Sequence, residues 1–233
     1  MTRLCSLTII GIGLCLLFCH VVTVAGLSID AKKIRAISFD VTGTLLATKE
    51  PVVKSYHDAA VWAKLPDPPS QDELKKAFKI AFKERSIESP CFGGVEGISG
   101  REWWQTTIQS VLHHCGRDDY TKDAFDRYFR RVYQHFGSPA GYMVLEDAES
   151  LLQSMEDVGL VLGITSNTPI RHMESVLPML DSFHDKFSWF TCSQEVGFEK
   201  PSREIFEDAF EKAKFWLGDE NLQPESILHI GDS

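Results

Sequence analysis

Short apolar runs of strand length recur along this chain at residues 34–39, 160–164, 187–192 and 227–230. Amphipathic stretches with helical spacing, at 146–158, 169–180 and 203–216, precede or separate the last three. A chain that alternates in this way is confined to few solutions. Parallel strands need long crossovers, and helices that cover both faces of the sheet supply them. Between residues 50 and 138 the alternation is interrupted, and the apolar positions repeat only at helical spacing. Leu74, Phe78, Ala81 and Phe82 form one stripe, Trp104, Ile108, Val111 and Cys115 a second, and Phe125, Phe129, Val132 and Phe136 a third. The chain therefore reads as α/β, a parallel sheet with a helical insert. Pro66-Asp67-Pro68-Pro69 and Cys91-Phe92-Gly93-Gly94 punctuate that insert. The aromatic residues of its stripes read as core.

The first apolar run delivers Asp40 into the turn Val41-Thr42-Gly43-Thr44. A carboxylate at the carboxyl end of a buried parallel strand stands where open α/β sheets bind ligands. Three further polar groups occupy comparable places. Thr165-Ser166-Asn167 ends the second run, the loop Gly197-Phe198-Glu199-Lys200-Pro201 follows the third, and His229-Ile230-Gly231-Asp232 closes the fourth. Any one of these is compatible with turn chemistry or capping alone. Their order, and their repetition at strand ends, points to one site.

The Phe39-Asp40-Val41-Thr42-Gly43-Thr44-Leu45 string, with Ser166, Lys200 and Asp232 after it, resembles the four signatures of the haloacid dehalogenase (HAD) hydrolase superfamily. That string and Gly100-Arg101-Glu102-Trp103-Trp104 look like the subgroup named haloacid dehalogenase-like hydrolase domain-containing protein 3. The resemblance implies a Rossmann-like core from residues 28–49 and 139–233, with a helical cap at 50–138. It further implies Asp40 as nucleophile, Ser166 and Lys200 as its catalytic partners, and an anion cradle of Thr42, Gly43, Ser166, Asn167 and Lys200. A Mg²⁺ site would be formed by Asp40, the Thr42 backbone carbonyl and Asp232, since this hard cation takes oxygen ligands. The expected reaction is hydrolysis of a small phosphate monoester through an aspartyl-phosphate, with a cap that closes to exclude water.

Two departures from the family pattern leave alternatives open. Phosphatases of the superfamily carry a second Asp two positions after the nucleophile as general acid and base, and this chain has Thr42 there. A hydroxyl is a poor proton donor to a leaving alkoxide. Relatives without that Asp include the dehalogenases, whose halide leaves unprotonated, so a halogenated metabolite is the alternative substrate. A catalytically silent binding protein is the other. The second departure is that the sequence ends at Ser233, one residue after Asp232. The family continues with a further acid, a helix and an edge strand, so the chain reads as C-terminally incomplete, with residues 227–230 left unpaired on one flank.

Residues 1–27 are set apart from the fold. One positive charge at Arg3 precedes a charge-free run from Leu4 to Ala25, and Thr23-Val24-Ala25-Gly26 offers a small-residue exit. This is the pattern of a secretory signal peptide, with an uncleaved membrane anchor as the alternative, and it implies the secretory pathway or an organelle lumen. No Asn-x-Ser/Thr acceptor accompanies it. Cys5, Cys15 and Cys19 lie in the leader, and Cys91, Cys115 and Cys192 are widely spaced, so they read as thiols and not as a disulfide framework. A net charge of -9 without any basic run excludes a nucleic-acid surface. Arg101, beside Trp103 and Trp104, could reach an anionic substrate or stand as a solvated surface residue.

Overall fold

The computed structural model describes residues 6–7, 22–24, 27–29 and 31–231. In chain order its strands and helices are β1 (Ser6–Leu7), β2 (Val22–Val24), β3 (Leu27–Ile29), β4 (Ala36–Phe39), β5 (Leu46–Thr48), α1 (Val52–Trp62), α2 (Gln71–Glu88), α3 (Gly100–His114) and α4 (Lys122–His135). There follow β6 (Tyr142–Val144), α5 (Ala148–Asp157), β7 (Val161–Ser166), β8 (Trp189–Cys192), α6 (Ser193–Val196), α7 (Arg203–Leu217) and β9 (Ile227–Ile230). The chain divides into two compact units. One comprises residues 1–47, 144–167 and 180–233, and the other residues 48–143 and 168–179.

The first unit is the α/β core. Its sheet runs β1-β9-β4-β7-β8, and every pairing in it is parallel. The strand β4 is central, with Phe39 opposite Ile164 on one side and opposite Ile230 on the other. All four of its residues are buried, as a strand covered on both faces requires. Each of β4, β7 and β9 therefore ends at the same edge of the sheet. The flank of β9 that the sequence suggests is open carries β1 instead, with Ser6 opposite His229 and Leu7 opposite Ile230. A bare strand edge offers unpaired N–H and C=O groups to any segment within reach, and here Ser6 and Leu7 take them. Strands β2 and β3 pair antiparallel, with Val24 opposite Leu27, at the exit expected for the leader. Most of the charge-free run 4–25, with Cys5, Cys15 and Cys19, lies outside the described residues. Among the described residues no helix is long and apolar enough to cross a membrane.

The second unit is helical, and its helices begin where side chains can satisfy the free N–H groups of a first turn. Ser70 and Glu73 form a reciprocal capping box at α2, Ser99 accepts from the Glu102 N–H at α3, and Thr121 accepts from the Ala124 N–H at α4. The three apolar stripes meet in one core, which includes Tyr56, Leu74, Ile108, Leu112, Tyr128 and Phe129. Residues 168–179 group with this unit, although in sequence they follow β7. A regular helix is expected over 169–180. The structure has a π-helical turn at His172–Val176 and a 3-10 turn at Leu177–Met179. Pro178 has no N–H to continue an α-helical ladder, and the backbone changes pitch beside it. Cys91, Cys115 and Cys192 are buried thiols, and burial pushes the Cys192 thiol up to about 11, which keeps it protonated and unreactive.

The fit between β7 and β8 leaves no spare volume at Gly163. A Cβ there would overlap the indole of Trp189, its cross-strand partner, and both residues are buried. Gly163→Ala is therefore expected to cost about 1–3 kcal/mol through overpacking, read as a lower midpoint in urea or thermal unfolding. An unchanged midpoint would show that the indole can move aside.

Candidate active site

Three functional side chains predicted from the sequence meet in the α/β core. Asp40 leaves the end of β4, where its N–H donates to the Ile230 carbonyl at 2.8 Å and fixes the backbone against β9. The following turn winds around one acceptor. The Val41 carbonyl receives the N–H groups of Thr44, Leu45 and Leu46, while Gly43 N–H donates to the Leu46 carbonyl. Gly43 has a φ of 86°, in the region that favours glycine, so the sharp exit from the strand depends on it.

Ser166, the last residue of β7, donates its hydroxyl to Asp40 Oδ1 at 2.6 Å. Lys200 Nζ lies 3.0 Å from the same oxygen, and the two side chains are only 4% and 9% exposed. The contact is an ion pair without hydrogen-bond alignment, since Nζ finds no aligned acceptor among the described residues. Both partners hold Oδ1, and no described group bonds Oδ2. The carboxylate is thus anchored by one oxygen, with the other left available.

Asn167 does something its place in the anion cradle does not suggest. Its side-chain oxygen accepts from Lys200 N–H at 2.6 Å, and its side-chain nitrogen donates to the Lys200 carbonyl at 3.1 Å. Both ends of the amide are committed to the lysine's main chain, which leaves Asn167 its backbone N–H and one remaining amide hydrogen for an anion. Thr42 and Gly43 are exposed in the turn, and the Thr42 carbonyl takes none of the turn's hydrogen bonds. Asp232 lies outside the described residues. Among the described residues no three His, Cys, Asp or Glu side chains gather as a ready metal cluster. Asp40 Oδ2 and the Thr42 carbonyl are nevertheless hard oxygen donors at the strand end. They suit Mg²⁺ better than a softer metal.

Beneath Asp40 lies a polar row absent from the sequence reading. Ser38 on β4 donates to Thr165 Oγ1 on β7 at 2.6 Å and meets His229 Nδ1 on β9 at 3.1 Å, and all three residues are buried. Which of Ser38 and His229 donates is set by the imidazole tautomer. His229 Nε2 is left without a described partner. Burial, reinforced by the Lys200 charge, pushes His229 down to about 4. The one available signal in the sequence is that Ser38, Thr165 and His229 are polar residues in otherwise apolar strands.

Comparison with known proteins decides the family. The pattern for haloacid dehalogenase-like hydrolases matches residues 34–233. This chain belongs to that family. It is 30% identical over 207 residues to haloacid dehalogenase-like hydrolase domain-containing protein 3 of Bos taurus, covering 86% of this chain and 75% of the relative. Among solved structures, the HAD-hydrolase YfnB of Bacillus subtilis, bound to magnesium, superposes with a TM-score of 0.54 at 21% identity, covering 86% of this chain and 80% of the other. The L-2-haloacid dehalogenase RSc1362 gives 0.51 at 20% identity, covering 85% and 78%. Likeness at that identity carries the fold alone. The core of this HAD-like hydrolase is the expected α/β sheet.

The buried histidine has a consequence for stability. His229 is neutral in the fold below the pH at which an unfolded histidine, near 6.5, takes its proton. Between about pH 6.5 and 4 the unfolded chain binds the extra proton, so stability falls as the pH falls. The expected loss between pH 7 and 5 is about 2 kcal/mol from this residue. His172 in the helical unit, also pushed down to about 4 by burial, behaves alike. Urea unfolding of His229→Gln should show a shallower loss than wild type over that interval. Equal slopes would remove His229 as a source.

Proposed function

We propose that this protein hydrolyses small phosphate monoesters with Asp40 as nucleophile. The supporting observation is the convergence of Ser166 Oγ and Lys200 Nζ on Asp40 Oδ1 at the ends of neighbouring parallel strands. With Oδ1 anchored, Oδ2 attacks phosphorus, the bond to the leaving oxygen breaks, and an aspartyl-phosphate forms that water then hydrolyses. Lys200 offsets the negative charge that substrate and nucleophile bring together, the backbone N–H groups beyond β4 and β7 orient the phosphoryl oxygens, and Ser166 keeps Oδ1 in place. Asp40, the Thr42 carbonyl and Asp232 would hold Mg²⁺, which when bound neutralises phosphoryl charge. The magnesium in YfnB supports that choice for a relative of the same fold.

A second reading is favoured by one observation. The turn 41–46 contains no carboxylic acid, and the exposed side chain at position 42 is a threonine. Attack on carbon with loss of halide needs no proton donor there, so hydrolysis of a halogenated acid uses the same nucleophile. Parallel assays with p-nitrophenyl phosphate and a 2-haloacid, with and without Mg²⁺, separate the readings. Mg²⁺-dependent phosphate release supports the first, and halide release alone supports the second. The absence of both identifies a silent binding protein.

Asp40→Asn should abolish turnover. It also strips a buried lysine of its counter-charge, which costs on the order of 3–5 kcal/mol, so its melting temperature should drop. Adding Lys200→Met should recover most of that stability and none of the activity. Turnover in either variant would take the nucleophile's role from Asp40.

Thr42→Asp tests the missing acid. A positioned general acid contributes about 10² to 10⁴ in rate. Turnover of alkyl phosphates should therefore rise steeply in this variant, while p-nitrophenyl phosphate, which leaves without a proton, should change little. If alkyl phosphate hydrolysis stays flat and the native protein releases halide, the phosphatase reading fails.

A further inference from the structure

The arginines of this acidic chain mostly answer carboxylates, as Arg85 does Glu88 at 3.0 Å, Arg117 does Glu73 at 3.1 Å and Arg203 does Glu207 at 2.6 Å. Four described arginines, Arg130, Arg131, Arg101 and Arg171, answer none, and Arg101 and Arg171 are two of them that share a ring. Both belong to the helical unit, and neither has a carboxylate within ion-pair reach among the described residues. Both gather on one aromatic ring instead. The central carbon of the Arg171 guanidinium lies 3.7 Å from the Tyr133 ring centroid, and that of Arg101 lies 5.5 Å from the same centroid and 5.2 Å from that of Phe129. The two cationic carbons are therefore within about 9 Å of each other, closer than the Debye length of about 10 Å at 0.1 M salt.

Part of this has a structural explanation. Arg171 Nη1 donates to the Tyr133 carbonyl at 2.6 Å, one of the last carbonyls of α4, which no helical N–H can reach. Gly137 makes room for it, since a Cβ there would overlap the guanidinium. That accounts for one of five N–H donors on Arg171 and for none on Arg101. Aromatic faces orient guanidiniums without neutralising them, so both keep their charge and most of their N–H donors for an oxyanion. Arg101 is exposed at the first turn of α3, and Arg171 and Tyr133 are half-buried, so the pair is open to a small ligand.

We propose that Arg101 and Arg171, stacked on Tyr133, form an oxyanion site in the helical unit that takes the carboxylate or phosphate group of a small metabolite. The site lies within that unit and does not depend on the hydrolase reading of Asp40. Arg171 is the fixed member, pinned to the α4 terminus, and Arg101 the movable one. A planar guanidinium can give two parallel N–H bonds to one oxyanion, which an ammonium cannot.

The test is a titration of the full chain, free of divalent metal and at low ionic strength, with malonate and in parallel with inorganic phosphate, followed by calorimetry and by tryptophan and tyrosine fluorescence. Saturable millimolar binding of at least one anion is expected, and the anion that binds assigns the ligand as carboxylate or phosphate. That binding should weaken about tenfold or more in Arg101→Ala and in Arg171→Gln and stay unchanged in Asp40→Asn. Arg171→Gln could disturb the end of α4. Arg101→Ala removes an exposed side chain that touches no backbone carbonyl, and its melting temperature should match wild type, so that variant decides. No saturable binding of either anion, or binding that survives Arg101→Ala, overturns the proposal. Loss of binding only in Asp40→Asn would place the anion at the strand ends and overturn it equally. Asp40→Asn that binds malonate normally yet lacks turnover, or a wild type that binds without turning over, leaves this site standing apart from the fate of the hydrolase reading.

Discussion

The core depends on a carboxylate and an ammonium group taken out of water together. Asp40 and Lys200 come from segments 160 residues apart in sequence and meet at 3.0 Å with both side chains nearly sealed. Withdrawing either charge from solvent alone would cost several kcal/mol, so the arrangement persists only where surrounding groups hold the two in register. The parallel sheet supplies that register. It brings β4, β7 and β9 to a common end, with Phe39 facing Ile164 and Ile230. Ser166 then adds a hydrogen bond to the oxygen that faces the lysine. Packing of the strands is thus a precondition of the electrostatics, and the electrostatics in turn fix which carboxylate oxygen remains available.

The fold of the family does not choose between reactions on phosphorus and on carbon. Solved relatives of similar fold carry the names of a magnesium-bound HAD-hydrolase and of a haloacid dehalogenase. What separates such chemistries physically is whether the leaving group needs a proton, and that narrows attention to the position two residues beyond Asp40, the proposed nucleophile. Thr42 stands there, exposed, in a turn whose backbone is tightly wound around the Val41 carbonyl. The turn is built to hold a shape, and the side chain at its tip is free to differ.

Much of this was legible in the sequence because it follows from periodicity. The alternation of short apolar runs with amphipathic stretches marked β4, β7, β8, β9, α5 and α7, with ends misplaced by one or two residues, and β7 proved to run on through Ser166. Asp40, Ser166 and Lys200 were visible as polar groups at strand ends, and the structure brings them together. Features made by tertiary contact were not visible. The two-residue strand β1, the pitch change near Pro178, the Ser38-Thr165-His229 row and the place of Arg171 above Gly137 each depend on neighbours distant in sequence. Arg101 illustrates the boundary well. Its exposure is what composition suggests, while its sharing of a ring with Arg171 requires α3, α4 and the 168–179 segment to be in place.

Asn167 gives the site a mechanical property that no inventory of catalytic groups contains. Its amide grips both the N–H and the carbonyl of Lys200, so the loop after β7 and the loop after β8 are fastened at the residue next to Ser166. Independent loops would add their thermal excursions, and the distance between hydroxyl and ammonium would fluctuate with the sum. Fastened loops drift together, so their errors are correlated and the spacing seen by the carboxylate is steadier than the position of either loop. Precision of this kind is relative and not absolute. A site so built can ride on mobile loops and still present a constant geometry to whatever enters it.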